Sequence, residues 1–359
     1  MLSLFVFLLV LGILILVHEF GHFIAAKRVG VIVEIFSLGF GPKLISRKKG
    51  QTEYSLAAIP FGGYVKMAGD NLEEYKGTPG EYLSKKPGQR AQIIFCGPLL
   101  NYVLGFLCFW AIFFAGYPTL TNKVGGLLDG FGAQEAGIQA GDRIISVQDK
   151  SVTSWEQLQI AIQESKGAAS VKVGLLRGSE KLVKDVSLKE KQVNDVFGKK
   201  QSVGLLGITP SEETIIVRHG LGESLFLGAR KTWDLTMVTY KAFGMLITGR
   251  LSMRESVTGP LGIFYVTHQA TSLGVIPVVH LIAVLSVSLA IFNLLPLPVL
   301  DGGHILFLLI EKIRGKGLSL KTESIITRVG LTLILTLAVV VTYNDILKFG
   351  GKIAKWFVK

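Results

Sequence analysis

His18, Glu19 and His22 form the pattern H-E-x-x-H inside an apolar run, Leu4 to Ala26, long enough to cross a bilayer. Residues four apart share one face of a helix, so the two imidazoles can each offer a nitrogen to one metal ion while Glu19 stands beside it as a base. Ionisable side chains at bilayer depth are costly, and three in one run call for a function. A polar patch bonding a neighbouring helix is the bland alternative, and it does not account for the full spacing.

Two histidines seldom hold a catalytic zinc alone, because hydrolytic sites take three protein ligands and keep a fourth position for water. Asp301 is the third candidate. It follows Asn293, Pro296, Pro298 and Leu300 and precedes Gly302 and Gly303, at the end of the third apolar run, Ile276 to Leu300. An acid there is unfavourable unless paired or metal-bound, and the prolines free backbone groups that membrane depth tolerates only along a cavity. The expected cofactor is therefore Zn2+ on His18, His22 and Asp301. The ion would polarise a scissile carbonyl and acidify water, with Glu19 taking the proton and passing it to the leaving amine. Asn293 offers an amide that could pin an unwound substrate backbone or stabilise an oxyanion, or simply bond a neighbouring helix. His219, His268 and His280 lack any such spacing and read as interfacial or packing residues.

These residues need a membrane scaffold. The chain has 359 residues, of which 49% are hydrophobic, the profile of a membrane protein with a modest soluble insert. Its net charge of +12 is scattered over span-flanking loops without a groove-reading motif, which points to lipid headgroups and not to nucleic acid. Cys96 and Cys108 make neither a disulfide framework nor a thiolate cluster and read as packing residues. The first run lacks a basic leader and a cleavage site, so it reads as a retained helix.

Four spans are expected: Leu4 to Ala26, Ile93 to Tyr117, Ile276 to Leu300, and Val329 to Leu347. The basic loop from Lys27 to Arg90 and the connection from Glu311 to Arg328 place their ends in the cytoplasm. Lys348, Lys352, Lys355 and Lys359 around Trp356 suit an interfacial anchor on the outer side. A fifth candidate, Leu225 to Ile247, carries Arg230, Lys231, Asp234 and Lys241. If it crossed, Asp301 would reach the opposite face from His18 and His22, so an amphipathic surface helix is expected instead. Four segments follow: 1–121, a first membrane half; 122–210, a β-rich insert; 211–275, the surface helix and a linker; 276–359, a second membrane half.

Within the insert, Ala136, Gly137, Ile138, Gly141, Asp142, Arg143, Ile144 and Ile145 resemble the A-G-[LI]-x-x-G-D-x-I signature of PDZ domains. Strands are expected at Val171 to Leu175, Val183 to Leu188 and Ser202 to Ile208, with a helix at Ser154 to Ser165. Such a domain binds extended peptide by strand addition; the alternative is a β-rich spacer that binds nothing. Between the first two spans, Glu53 to Ala58 and Tyr64 to Ala68 read as the arms of a β-hairpin joined by Ile59-Pro60-Phe61-Gly62-Gly63. Its edge, at Gly62, Gly63, Tyr64 and Val65, could clamp a substrate strand, or the hairpin could be merely structural. Gly39-Phe40-Gly41-Pro42 supplies a turn upstream.

Four motifs together resemble the site-2 protease family: His18-Glu19-x-x-His22; Phe61-Gly62-Gly63-Tyr64-Val65-Lys66-Met67; Gly97-Pro98-x-x-Asn101; and Asn293-x-x-Pro296-x-Pro298-x-Leu300-Asp301-Gly302. Within it the chain looks like the bacterial RseP/RasP type, along essentially its whole length. The resemblance implies a polytopic α-helical membrane protein of four transmembrane helices, with a membrane-associated β-hairpin and an inserted PDZ domain. It implies a zinc metalloendopeptidase of regulated intramembrane proteolysis in the bacterial plasma membrane, its PDZ domain on the outer side. Implied substrates are single-pass membrane proteins such as anti-sigma factors, and remnant signal peptides. The family ligands do not include His304, which is left a structural or supporting role. One departure is that the insert has room for a single PDZ domain where the enterobacterial type carries two. The rival readings are a non-proteolytic PDZ-containing membrane chaperone, which would have lost Glu19 or Asp301, and a zinc transporter, which would need polar residues through several spans.

Overall fold

The computed structural model describes residues 2–194 and 200–357. In chain order the helices are α1 (Leu2–Val29), α2 (Pro87–Ala115), α3 (Gly132–Glu135), α4 (Trp155–Glu164), α5 (Leu221–Ile247), α6 (Met253–Ser256), α7 (Pro260–Leu273), α8 (Val275–Asn293), α9 (Asp301–Arg314) and α10 (Leu320–Phe357). The strands are β1 (Val33–Lys49), β2 (Thr52–Met67), β3 (Tyr117–Leu120), β4 (Val124–Leu127), β5 (Arg143–Val147), β6 (Lys150–Ser151), β7 (Ser170–Arg177), β8 (Glu180–Ser187), β9 (Lys189–Asn194), β10 (Lys200–Leu205), β11 (Ile208–Pro210) and β12 (Thr214–Val217). They divide into two units, Met1–Ile112 with Gly222–Lys359, and Phe113–Leu221.

Among the described residues, four helices are long and apolar enough to cross a membrane: Leu2–Val29, Pro87–Ala115, Val275–Asn293 and Lys321–Ile353. Helix α1 ends where Gly30 turns left-handed (φ +76°), with Gly30 N donating to Lys27 O and Val31 N to Ala26 O. Those two bonds satisfy terminal carbonyls, and Lys27 and Arg28 complement the negative end of the helix dipole. Helix α2 starts at Pro87, earlier than Ile93, because proline's missing N–H and fixed φ suit a first turn. Helix α8 stops at Asn293, not Leu300: Pro296 and Pro298 lack the N–H groups a helix needs, and Asp301 opens a separate helix, α9. Of the expected anchor residues, Lys355 and Trp356 fall in the last turn of α10, and Lys359 lies outside the described residues.

Helix α5 covers the fifth candidate segment. Its buried stripe, Ser224, Gly228, Thr232 and Thr236, is small and polar at four-residue spacing, while Leu225, Phe226, Trp233 and Met237 are exposed. The stripe meets α2, with Gly228 against the Trp110 backbone and Tyr102 Oη 3.0 Å from Thr236 Oγ1. Helix α7, within what was expected to be linker, packs on α1 through Phe7 and Phe264, whose centroids are 5.5 Å apart. Its N-terminus is capped from α10: Asp345, fully buried, accepts from Gly259 N at 3.1 Å and Gly262 N at 2.8 Å.

The β segment between α1 and α2 differs from the expected hairpin. Residues 43–49 pair antiparallel with 52–57, residues 35–38 lie parallel to 53–56, and residues 33–38 pair antiparallel with 63–67. Thus 53–58 and 64–68 are not each other's partners, since the start of β1 lies between them. Strand β1 doubles back at Gly39 and Gly41, both with positive φ, so its two halves join different ladders with β2. Strand 63–67 is left on an edge among the described residues.

The second unit has a four-stranded antiparallel sheet in the order β6-β5-β7-β8, joined by the pairs β11-β4, β10-β9 and β12-β3. Its core gathers Val124, Ile144, Val147, Leu158, Val171 and Leu175. Ser154 caps α4 by accepting from Gln157 N at 3.3 Å. Asp142 is buried, accepts from Gln139 N at 2.8 Å, and is gripped by Arg177 Nε and Nη2, each at 2.8 Å. The guanidinium holds its carboxyl below the usual carboxylate range.

Candidate metal centre

Helices α1 and α2 approach backbone to backbone because two glycines face each other's helix. A Cβ on Gly21 would run into the carbonyl of Cys96, and one on Gly97 would run into the His22 imidazole. This contact seats both histidines against α2. His22 Nδ1 donates to Ile93 O at 3.0 Å, and His18 Nδ1 lies 3.3 Å from the side-chain amide of Asn101. The two rings stand nearly perpendicular, 87° apart, with their Nε2 atoms converging at 3.3 Å.

Asp301 completes the triangle. Its Oδ2 lies 3.2 Å from His18 Nε2 and 3.7 Å from His22 Nε2. The irregular stretch after α8 brings it there, and two glycines allow the approach: a Cβ on Gly302 would strike the carbonyls of Leu294 and Leu295, and one on Gly303 that of Leu297. At the far end of α9, Glu311 pairs with Arg90 of α2, so both ends of the aspartate's helix are held against the first membrane half.

The three donors fit zinc. Four ligands at 2.0–2.1 Å around a tetrahedral centre lie about 3.3–3.4 Å from one another, and the triangle here has edges of 3.2, 3.3 and 3.7 Å. Asp301 Oδ2 is buried without a hydrogen-bond donor among the described residues, an arrangement that a cation relieves. His18, His22 and Asp301 are also the single cluster of three potential ligands found among those residues.

The remaining expected residues surround this triangle unequally. Asn293, at the end of α8, places Nδ2 3.5 Å from His18 Nε2. Glu19 sits against the β segment: a Cβ on Gly63 would come within 3.1 Å of Glu19 Cγ and 3.0 Å of Ile15. Tyr64 stacks on Phe40 with ring planes 7° apart, and that same Phe40 ring covers Gly62. Val65 packs into the cluster of Ala25, Ala26, Val31, Val33 and Ile93. His304 is exposed and edge-on to Phe307, outside the ligand group. His268 bonds Ser3 Oγ at 2.8 Å, and His280 meets Phe109 edge-on. Gly97 and Asn101 stand in the sequence as part of a family motif without an assigned role, and their part in supporting the histidines, together with Ile93, escapes sequence reasoning. A backbone acceptor has no side-chain signature, and only the four-residue spacing of the three could have pointed to one face of α2.

The sequence matches the family model for peptidase family M50 over residues 6–337. It is 30% identical to zinc metalloprotease RasP of Oceanobacillus iheyensis, across 95% of this chain and 97% of that protein. It is 27% identical to the regulator of sigma-W protease RasP of Bacillus subtilis, again across 95% and 97%. Among solved structures, the PDZ domain of the SdrC-like protein from Listeria monocytogenes matches 26% of this chain and 88% of its own, at 22% identity and a TM-score of 0.21.

Proposed function

The chain belongs to peptidase family M50 and is a zinc metalloprotease of the site-2 protease type, and from that premise we propose that it cuts peptide bonds within the transmembrane segments of single-pass membrane proteins. The observation that carries this reading is the placing of Glu19, next in sequence to the ligand His18, against an open strand edge at Gly63, in a unit built around the four apolar helices found among the described residues. Bound by His18, His22 and Asp301, zinc would supply a Lewis acid for the scissile carbonyl and a lowered pKa for water.

The chain's own groups do the rest. A peptide bond in a helical transmembrane segment is shielded by its own hydrogen bonds, so the segment must first be drawn out. The free edge of 63–67 offers main-chain groups for strand addition, and the closeness of Gly63 to Glu19 would run that added strand past the base. Glu19 takes the water proton and delivers it to the leaving nitrogen. Asn293 donates its amide to the carbonyl oxygen as charge develops there. Gly62, Tyr64 and Val65 bind substrate indirectly, by shaping this edge through Phe40 and the Ala25–Ile93 cluster.

The substrates proposed are anti-sigma-type membrane proteins, in keeping with the sigma-W in the name of the B. subtilis relative, and remnant signal peptides, which the family resemblance alone implies. The protein is placed in a bacterial plasma membrane, with residues near Lys48 and Lys316 in the cytoplasm and Lys150 outside. Helix α5 runs antiparallel along the span α2, Gly228 at Trp110 and Thr236 at Tyr102, and so packs beside that span instead of lying along the membrane surface as expected, while the second unit is a PDZ-type domain that meets the substrate's outer part first. The test is co-expression with a single-pass substrate bearing tags at both ends. Two fragments parted within the apolar segment are expected; equal cutting of an unfolded soluble protein would refute the intramembrane reading.

A further inference from the structure

Each histidine that turns Nε2 to the centre has a second ring nitrogen whose partner fixes the ring. For His22 that partner is Ile93 O, which can only accept, so Nδ1 carries the proton and Nε2 keeps its lone pair for a metal. For His18 the corresponding neighbour is a side chain, the Asn101 amide, whose Nδ2 lies 3.3 Å from Nδ1. Ile93, Gly97 and Asn101 follow one another at four-residue intervals, and His22 and His18 stand at the same interval on α1. The face of α2 thus presents in succession an acceptor, a gap for a ring, and an amide.

Asn101 is fully exposed to neither water nor lipid, being 0% accessible. Its backbone carbonyl accepts from Ser286 Oγ of α8 at 2.7 Å, which fixes its place on the helix. Its Oδ1 is a buried acceptor with no hydrogen-bond partner among the described residues. A neutral imidazole bound to metal through Nε2 has its proton on Nδ1 and needs an acceptor there. An amide nitrogen turned toward that ring would oppose it. The two ends of the amide are nearly equal in shape, so the side chain can present Oδ1 to Nδ1–H without repacking.

We propose that Asn101 is a positioning residue for His18: its Oδ1 accepts the Nδ1 proton, fixes the tautomer and ring orientation, and so directs Nε2 into the metal triangle. This rests on the zinc reading of the centre and assigns α2 a part in it. One helix supplies two histidine ligands, and one face of a second helix sets the tautomer of both.

The test uses full-length protein in detergent, with zinc affinity measured by chelator competition and ligand geometry by the visible spectrum of the cobalt(II) form. Asn101→Leu keeps the volume and removes the acceptor; zinc affinity should fall about 10- to 100-fold, with an altered cobalt spectrum. Asn101→Asp keeps an acceptor and should restore both. Nitrogen-15 NMR of histidine-labelled wild-type zinc protein should find the His18 proton on Nδ1, a measurement that holds even if the leucine variant does not fold. Wild-type affinity and spectrum in Asn101→Leu, or metal on Nδ1 of His18, would overturn the proposal. Failure of the wild type to bind zinc would instead sink the centre itself.

Discussion

The His22 imidazole occupies the space that a side chain at position 97 would need. A Cβ on Gly97 would overlap the ring at Nε2 and Cε1, the edge that faces His18 and Asp301. The ring cannot swing aside freely, because Nδ1 is bonded to Ile93 O on the same helix. Gly97→Ala should therefore displace a metal donor although alanine favours a helix over glycine by about 1 kcal/mol. Zinc content after dialysis should drop sharply while helical content and melting temperature hold; a variant that keeps its zinc would show that the ring has other room.

Glu19→Gln should abolish cleavage and leave zinc bound. The amide is nearly isosteric and cannot take a proton from water, while all three ligands stay in place. Metal analysis and cleavage of a tagged membrane substrate, run on one preparation, separate the two properties. Turnover near that of the wild type would remove Glu19 from the chemistry.

Asp301→Ala, by contrast, should lose both activity and most of the zinc, because two imidazoles supply neither the ligand number nor the charge of a stable site. His304 points elsewhere and cannot replace it without rebuilding the start of α9. Full occupancy in this variant would send the third ligand to another side chain.

The contrast between Asp301 and Asp345 shows what the sequence makes legible. Both are acids in apolar surroundings, and the same rule marks both, yet Asp301 sits among prolines and glycines that announce an irregular site. Asp345 sits in an otherwise regular helix, and its role depends on α7, a partner more than 80 residues away that has no pattern of its own. The histidine pair and the break after α8 are local features, and local features are what spacing and proline report. The β segment is harder. Whether 53–58 pairs with 64–68 or lets 33–38 come between depends on how a long strand doubles back at Gly39 and Gly41, which is a tertiary choice. In the second unit, Gly137, Gly141 and Asp142 are readable as a turn because each acts within a few residues, whereas Arg177 as the partner of Asp142 comes from a distant strand.

Asp345→Leu should free the N-terminus of α7. The carboxylate satisfies two amide N–H groups of that helix end, and its charge complements the positive end of the helix dipole. Loss of two charge-assisted bonds from a buried site should lower stability by about 2–3 kcal/mol and raise hydrogen exchange at residues 259–263 first. Exchange unchanged there would mean that packing on α1 and α10 alone holds α7.

Arg177→Met should destabilise the second unit at neutral pH, since it leaves the buried Asp142 carboxylate without its paired donors. The guanidinium depresses the folded-state pKa of Asp142, so the pair contributes fully above the unfolded value near 4 and is lost as pH falls through the lower, folded value. At pH 7 the variant should be less stable than the wild type, by an amount tempered by the partial exposure of Arg177. Hydrogen exchange in β5 and β7 of the full-length protein, followed from pH 7 downward, should show variant and wild type converging below about pH 4. A deficit that persists unchanged in acid would place the arginine's contribution in packing and not in its charge.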